Sequence, residues 1–329
     1  MTLLASSLQS YFTDHAHARK GLSPNTIASY RDTWRLLIKH VTAATGVPAD
    51  KIDLGMLDAQ AITTFLDHLE AVRGNSATTR NARLTAIRAV LAVTLPDHPE
   101  HADTIARVLA VPTRRGASRT VQFLTIEEAE ALLDAPATST WTGRRDRALL
   151  TLAVQTGLRI SELTTLTISD LHTGRGAHVT CTGKGRKYRA TPLTAATLSV
   201  LVPYLAERAT RPGAALFPGP RGQHLSRDAL ERRLAKHVAT ATERCPSLGA
   251  KHVTMHTLRH TAAMRLLQAG VDVAVIALWL GHENTSSTDV YLHADMTIKQ
   301  AAIDRTRDPH IAPGTYTPTA GVLAFLTSL

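Results

Sequence analysis

The chain has 329 residues, 44% of them hydrophobic, and carries 37 Lys plus Arg against 27 Asp plus Glu, a formal charge of +10. That length is long for one compact core and fits two domains joined by a linker. The longest apolar stretch, Val273 to Leu280, is far too short to span a bilayer, and aromatics at 4% argue against a single-strand binder built from base-stacking platforms.

The N-terminus lacks a basic segment followed by a sustained apolar run, so neither export nor membrane insertion is expected. Cys181 and Cys245 form neither a CxxC metal pattern nor a disulfide framework, and a reducing cytoplasm is the simplest setting. The positive charge is uneven. Residues 1–110 hold 11 basic and 10 acidic side chains, leaving 26 and 17 to residues 111–329. Phosphate binding is therefore expected mostly in the second part, with a polyanion as partner, because each neutralised phosphate releases counterions. Duplex DNA is the better candidate.

In the first part, Ser23-Pro24-Asn25 supplies a cap and a first-turn proline. Ile27, Tyr30, Trp34, Leu37 and Val41 then recur at helical spacing, so one stripe of this helix is expected to be buried. A second helix is expected from Asp58 to Val72. A third begins near Ser76, with Leu84, Ile87, Val90 and Leu91 on one face while Arg80, Arg83 and Arg88 point elsewhere. Read from the helix alone, those arginines are a solvated surface.

From about Pro96 to Phe123 the periodicity weakens. Within it, Pro112-Thr113-Arg114-Arg115-Gly116-Ala117-Ser118-Arg119 is small, basic and irregular, and reads as an interdomain linker that either lies along a DNA backbone or is an uninvolved tether. Thr125-Ile126-Glu127-Glu128 carries a capping-box pattern that starts a helix. An apolar helix, Ala148 to Val154, is expected to stop at Thr156-Gly157. Beyond it Ile160, Leu163 and Leu166 anchor a new helix with Arg159 at its start. Backbone N–H groups there favour an anion, and a planar guanidinium can bridge two phosphate oxygens. Glu162 is either an orienting acceptor for Arg159 or a plain surface glutamate.

Ala177 to Thr182 is β-prone, Gly183-Lys184-Gly185 is a flexible turn, and Tyr188 to Thr191 returns as a second strand. Taken alone, a lysine at such a tip is simply exposed. His256 and Arg259, three residues apart, share a helix face, with Leu258, Leu266 and Leu267 as apolar anchors. The 16 histidines raise a zinc reading, but no HExxH occurs, no carboxylates accompany the pair, and Arg259 would repel a divalent cation. Trp279-Leu280-Gly281 ends a short helix before His282, and Tyr291 follows in Thr288-Asp289-Val290-Tyr291-Leu292-His293. A phenolic oxygen can attack a phosphodiester while surrounding cations stabilise the added charge of a five-coordinate transition state. After a helix around Thr297 to Arg305, a Pro- and Gly-rich stretch from Pro309 to Pro318 precedes an apolar run, Ala320 to Leu326.

The order Arg159 in Gly157-Leu158-Arg159-Ile160-Ser161-Glu162-Leu163, Lys184 in Gly183-Lys184-Gly185, His256 and Arg259 in His256-Thr257-Leu258-Arg259-His260, His282 in Leu280-Gly281-His282, then Tyr291, resembles the catalytic signature of the tyrosine recombinases, the phage integrase family. The resemblance implies a mostly α fold with a small antiparallel β-sheet in the catalytic domain, built as a two-domain C-shaped DNA clamp. Residues 1–110 would be an N-terminal helical, SAM-like core-DNA-binding domain, 111–123 the linker and 124–308 the catalytic domain. Residues 309–329 would be a C-terminal linker and apolar helix, packed in cis or exchanged between protomers.

It implies a site-specific recombinase that cuts and rejoins duplex DNA through a 3′-phosphotyrosyl link to Tyr291, without metal or other cofactor. Arg159, Arg259 and His282 would hold the non-bridging oxygens, Lys184 would protonate the leaving 5′ oxygen, His256 would assist proton movement at the tyrosine, and Glu162 would orient its neighbours. Arg80 and Arg83 in the clamp, Arg114, Arg115 and Arg119 in the linker, and Arg186 and Lys187 beside the hairpin tip are the expected DNA contacts. The partners implied are double-stranded DNA and three further copies of the chain. These would form a homotetramer on two DNA sites, passing through a Holliday junction, from a monomer or dimer when free. The setting would be the bacterial cytoplasm, associated with the nucleoid, with no membrane. Type IB topoisomerase-like relaxation and a non-catalytic DNA-binding relative are the alternatives.

Overall fold

A computed structural model describes residues 3–116, 121–183 and 188–281. The chain packs as two units, Met1–Arg119 and Thr120–Leu329, with separate hydrophobic cores.

In the first unit, α1 (Leu4–Ser10) runs into a π-helical segment, Tyr11–Arg19, which the sequence reading did not anticipate. Helix α2 (Pro24–Thr45) is capped by Ser23, whose hydroxyl accepts the Thr26 N–H at 3.2 Å. Trp34, Leu37 and Val41 are buried along its expected stripe, and Ile27 and Tyr30 pack at the edge of the core. Asp58 caps α3 (Ala59–Arg73) and Ser76 caps α4 (Ala77–Thr94). The Trp34 indole donates to the Ala86 carbonyl at 3.4 Å, tying α2 to α4.

Two expectations for this unit fail. The stretch from Pro96 is regular as far as Val111. Short 3-10 turns lead into α5 (Ala102–Ala110), and Ile105, Val108 and Val111 enter the core. An apolar stripe this short is too brief to stand out as periodicity. Arg80 is the second failure, for it does not point away from the core. It is 3% exposed, donates to the Pro112 carbonyl at 3.5 Å, and faces Asp67 at 3.9 Å and Glu70 at 3.8 Å. Helical spacing is the reason, since Arg80 lies one turn before Leu84 on the same face.

In the second unit, Thr125 and Glu128 form the expected reciprocal cap of α6 (Ile126–Asp134). Helix α7 (Trp141–Thr156) is central, with α6, α9 (Ala195–Ala209) and α11 (Met255–Gln268) packed against it. Its buried Asp146 accepts from Arg145 at 2.8 and 3.0 Å, and from Arg233 at 3.0 Å and His237 at 2.9 Å on α10 (Arg227–Arg244). Burial pushes the Asp146 carboxyl up, but His237, Arg145 and Arg233 outweigh it and hold it below the usual carboxylate range. After α8 (Ile160–Thr165) comes an antiparallel sheet in the order β1 (Leu171–His172), β2 (His178–Thr182), β3 (Tyr188–Pro192). Cys181 pairs with Arg189, so β2 and β3 are the expected hairpin; β1 is an addition. Helix α12 (Val273–Leu280) ends the described part. Among the described residues no helix is long and apolar enough to cross a membrane.

Candidate active site

The site begins where α7 stops. Gly157, at φ +64°, takes the left-handed conformation, and a Cβ there would meet Leu280 Cδ2 at 2.6 Å and Ala262 Cβ at 3.0 Å. Glycine is thus required both by the turn and by the close approach of α11 and α12. Leu158 is buried beyond it, and Arg159 occupies the N-cap of α8. Leu163 and Leu166 are buried and Ile160 is partly so, which anchors this short helix against the core.

Glu162 sits under the start of α8, only 3% exposed. One carboxylate oxygen accepts the Arg159 backbone N–H at 2.7 Å and the other accepts Arg159 Nη1 at 3.1 Å. The same two oxygens accept Arg189 Nη2 at 2.8 Å and Nη1 at 3.0 Å. The surface-glutamate reading is therefore ruled out, and each oxygen has two donors. Arg159 Nη2 donates to the Gly281 carbonyl at 2.9 Å, leaving the side chain 34% exposed.

Arg259 comes to the same place from α11. Thr254 caps that helix, and Thr261, one turn after Thr257, accepts the Leu124 N–H at 2.9 Å. Arg259 is 3% exposed and donates to the Gly157 carbonyl and to the Leu280 carbonyl, both at 2.7 Å. These acceptors lie at the C-terminal ends of α7 and α12, where helix dipoles concentrate partial negative charge that favours a cation. The Trp279 indole donates to the Thr156 carbonyl at 3.2 Å and ties those two ends together. Both guanidiniums are thus held by fixed backbone, and Arg159 is held by the Glu162 carboxylate as well.

His256 precedes Arg259 by three residues on α11 and is exposed, its ring edge-on to His260 with centroids 4.1 Å apart. Although the side chain reaches solvent, the protein around its ring desolvates it in part; that, then the positive charges of Arg259 and Arg159, lowers its pKa from the ordinary histidine value, which favours a neutral, proton-accepting ring.

Of the expected catalytic set, Arg159, His256 and Arg259 are described, and they converge with Glu162; Lys184, His282 and Tyr291 lie outside the described residues, as do Arg119, Arg186 and Lys187. In the first unit Arg83 is half-buried, with Nη1 3.5 Å from the Thr33 hydroxyl. Arg114 is exposed but ion-paired to Glu70 and to Asp67, the latter at 2.9 Å, and Arg115 is exposed. Arg189 was missed. Its one signal was a lone arginine inside a β-prone segment, where alternation turns every second side chain toward the sheet's covered face.

The profile of the phage integrase family matches residues 122–297, and that of the phage integrase N-terminal SAM-like domain matches residues 10–98. A Sinorhizobium fredii protein named as an integrase/recombinase is 46% identical over 326 residues, covering 99% of this chain and 98% of that protein. The tyrosine recombinase XerC of Rhodospirillum centenum is 34% identical over 298 residues, covering 88% of this chain and 84% of its own. Among solved structures, the Tn1549 transposon integrase in complex with transposon right end DNA shares the fold at TM-score 0.70 and 18% identity, covering 93% and 99% of the two chains. XerH recombinase bound to its difH substrate does so at 0.66 and 23%, covering 84% and 78%. The paired arginines and their carbonyl seats thus sit inside a chain that belongs to the phage integrase family, the tyrosine-type site-specific DNA recombinases.

Proposed function

We propose that this protein recombines duplex DNA at specific sites by transient covalent attachment of Tyr291 to a strand end. The observation that carries the reading is the pair of guanidiniums, Arg159 and Arg259, seated on the carbonyls of Gly157, Leu280 and Gly281. A pair of forked donors fixed on backbone carbonyls suits a phosphodiester whose charge grows during attack. Tyr291 Oη attacks the scissile phosphorus, the bond to the 5′ oxygen breaks, and a 3′-phosphotyrosyl link forms. His256 receives the phenolic proton; its lowered pKa supports that role. Lys184 delivers a proton to the departing 5′ oxygen, and His282 joins the arginines at the non-bridging oxygens. Attack by a 5′ hydroxyl of another strand reverses the steps, so neither metal nor nucleotide is consumed.

The domain reading assigns residues 1–110 to the DNA clamp, 111–123 to the linker, 124–308 to catalysis and 309–329 to assembly. Arg115, exposed, remains a proposed phosphate contact, as do Arg119, Arg186 and Lys187; Arg83 and Arg114 serve once they leave Thr33, Asp67 and Glu70. Arg80 is assigned to the fold. Four protomers act on two DNA sites through a Holliday junction, with the apolar run 320–326 of each seated on a neighbour. Leu278 at 76% exposure and Val275 at 49% are apolar surface that such a contact would cover. Removing residues 319–329 is expected to weaken synapsis while leaving single-site binding intact. The reaction itself is tested with a duplex nicked near the cleavage point. The expected result is a covalent adduct that persists in EDTA and is absent in Tyr291→Phe; an adduct that needs a divalent ion contradicts the reading.

A further inference from the structure

Arg189 has no part in the reaction as described, yet it is a tightly held cation beside the site. Its side chain is 12% exposed and grips both oxygens of Glu162 end-on, at 2.8 and 3.0 Å. Glu162 in turn holds Arg159 twice, through the backbone N–H and through Nη1. The other end of Arg159 rests on the Gly281 carbonyl. Gly281 also makes room for Arg189, because at φ +66° it has no side chain and a Cβ would collide with the Arg189 guanidinium. Arg189 therefore touches, directly or through one carboxylate, the strand after the hairpin turn, the start of α8 and the end of α12.

We infer that Arg189 is a positioning residue for strand cleavage: by occupying one face of Glu162 it fixes the orientation in which Arg159 meets the scissile phosphate. The inference rests on the recombinase reading above. Its physical basis is a saturated carboxylate. With four donors on two oxygens, Glu162 has one arrangement available. Without Arg189, two of those donors are gone, and the buried carboxylate can draw the whole Arg159 fork toward itself and off the Gly281 carbonyl. A guanidinium displaced by about 1 Å loses on the order of 10²-fold in rate, while long-range attraction to DNA is little changed.

The test measures single-turnover cleavage of the nicked duplex at saturating protein, alongside affinity for the uncleaved site and thermal stability, in full-length chain. Arg189→Met is expected to cleave ~30–100-fold more slowly with site affinity within about threefold of the parent, since a single cation contributes little to total DNA binding. Arg189→Lys keeps the charge but cannot bridge both oxygens, and is expected to recover only part of the rate. Glu162→Gln combined with Arg189→Met is expected to be little slower than the slower single variant, because the two act through one contact. A folded Arg189→Met that cleaves at the parental rate overturns the inference, as do rate losses that multiply in the double variant. Should Arg189→Met not fold, Arg189→Lys decides, slow cleavage supporting the inference and parental cleavage overturning it. Failure of the parent to form any adduct overturns the recombinase reading and this inference together, a result distinct from loss confined to the Arg189 variants.

Discussion

Two clusters of arginines, one in each unit, use the same residue types to opposite ends. In the first unit Arg80 and Arg114 face Asp67 and Glu70, two guanidiniums to two carboxylates. In the second, Glu162 accepts from Arg159 and Arg189, while Arg159 and Arg259 also donate to the backbone carbonyls of Gly281, Gly157 and Leu280. Carbonyls orient a guanidinium without cancelling its charge. The first cluster pairs its charges and serves the fold, fastening the chain at Pro112–Arg114 to α3 and α4; the second, on the function proposed above, presents its guanidiniums to a phosphate.

Breaking each cluster should therefore move different quantities. Arg159→Ala and Arg259→Ala are each expected to slow strand cleavage ~10²–10³-fold, the usual cost of one preorganised donor to a developing oxyanion. Single-turnover kinetics at saturating protein measure it, and a loss below tenfold would mean the carbonyl-seated pair is not at the phosphate. Arg80→Met is expected to do the reverse, costing about 1–3 kcal/mol of stability by denaturant unfolding while the folded fraction cleaves at the parental rate. Arg114→Ala, whose side chain is 52% exposed, should cost no more than about 1 kcal/mol, and less at high salt.

The pH profile sharpens the comparison further. Because the His256 pKa is lowered, the neutral ring persists below the ordinary value of 6.5 and is lost only as pH falls through the lowered value. The acid limb of cleavage is thus expected below pH 6.5 and should vanish in His256→Gln. A limb above that value would contradict the assignment. The smallest effect concerns Cys181, whose buried thiol is pushed up to about 11. Alkylation near pH 8, followed by peptide mapping, should label the partly exposed Cys245 well before Cys181.

Much of this architecture is legible in the residues themselves. Caps at Ser23, Asp58, Ser76 and Thr125 and the stripe through Trp34, Leu37 and Val41 encode helices locally, as does the glycine stop at Gly157. The order of cations brings Arg159 and Arg259 to notice, but their seats do not show. Two of the seats are backbone carbonyls more than a hundred residues away, Gly281 for Arg159 and Gly157 for Arg259, and no side-chain pattern marks them. Arg189 escaped for the same reason, since its partner Glu162 is joined to it only by folding of the hairpin against α8. Arg80 misled because charge suggested solvent where helical phase already said interior.

The most direct test of the account is to find the atom that carries the DNA. Protein trapped on the nicked duplex, digested and analysed by mass spectrometry, should yield one nucleotide-bearing peptide, with the phosphate on Tyr291. Attachment to any other side chain would contradict it.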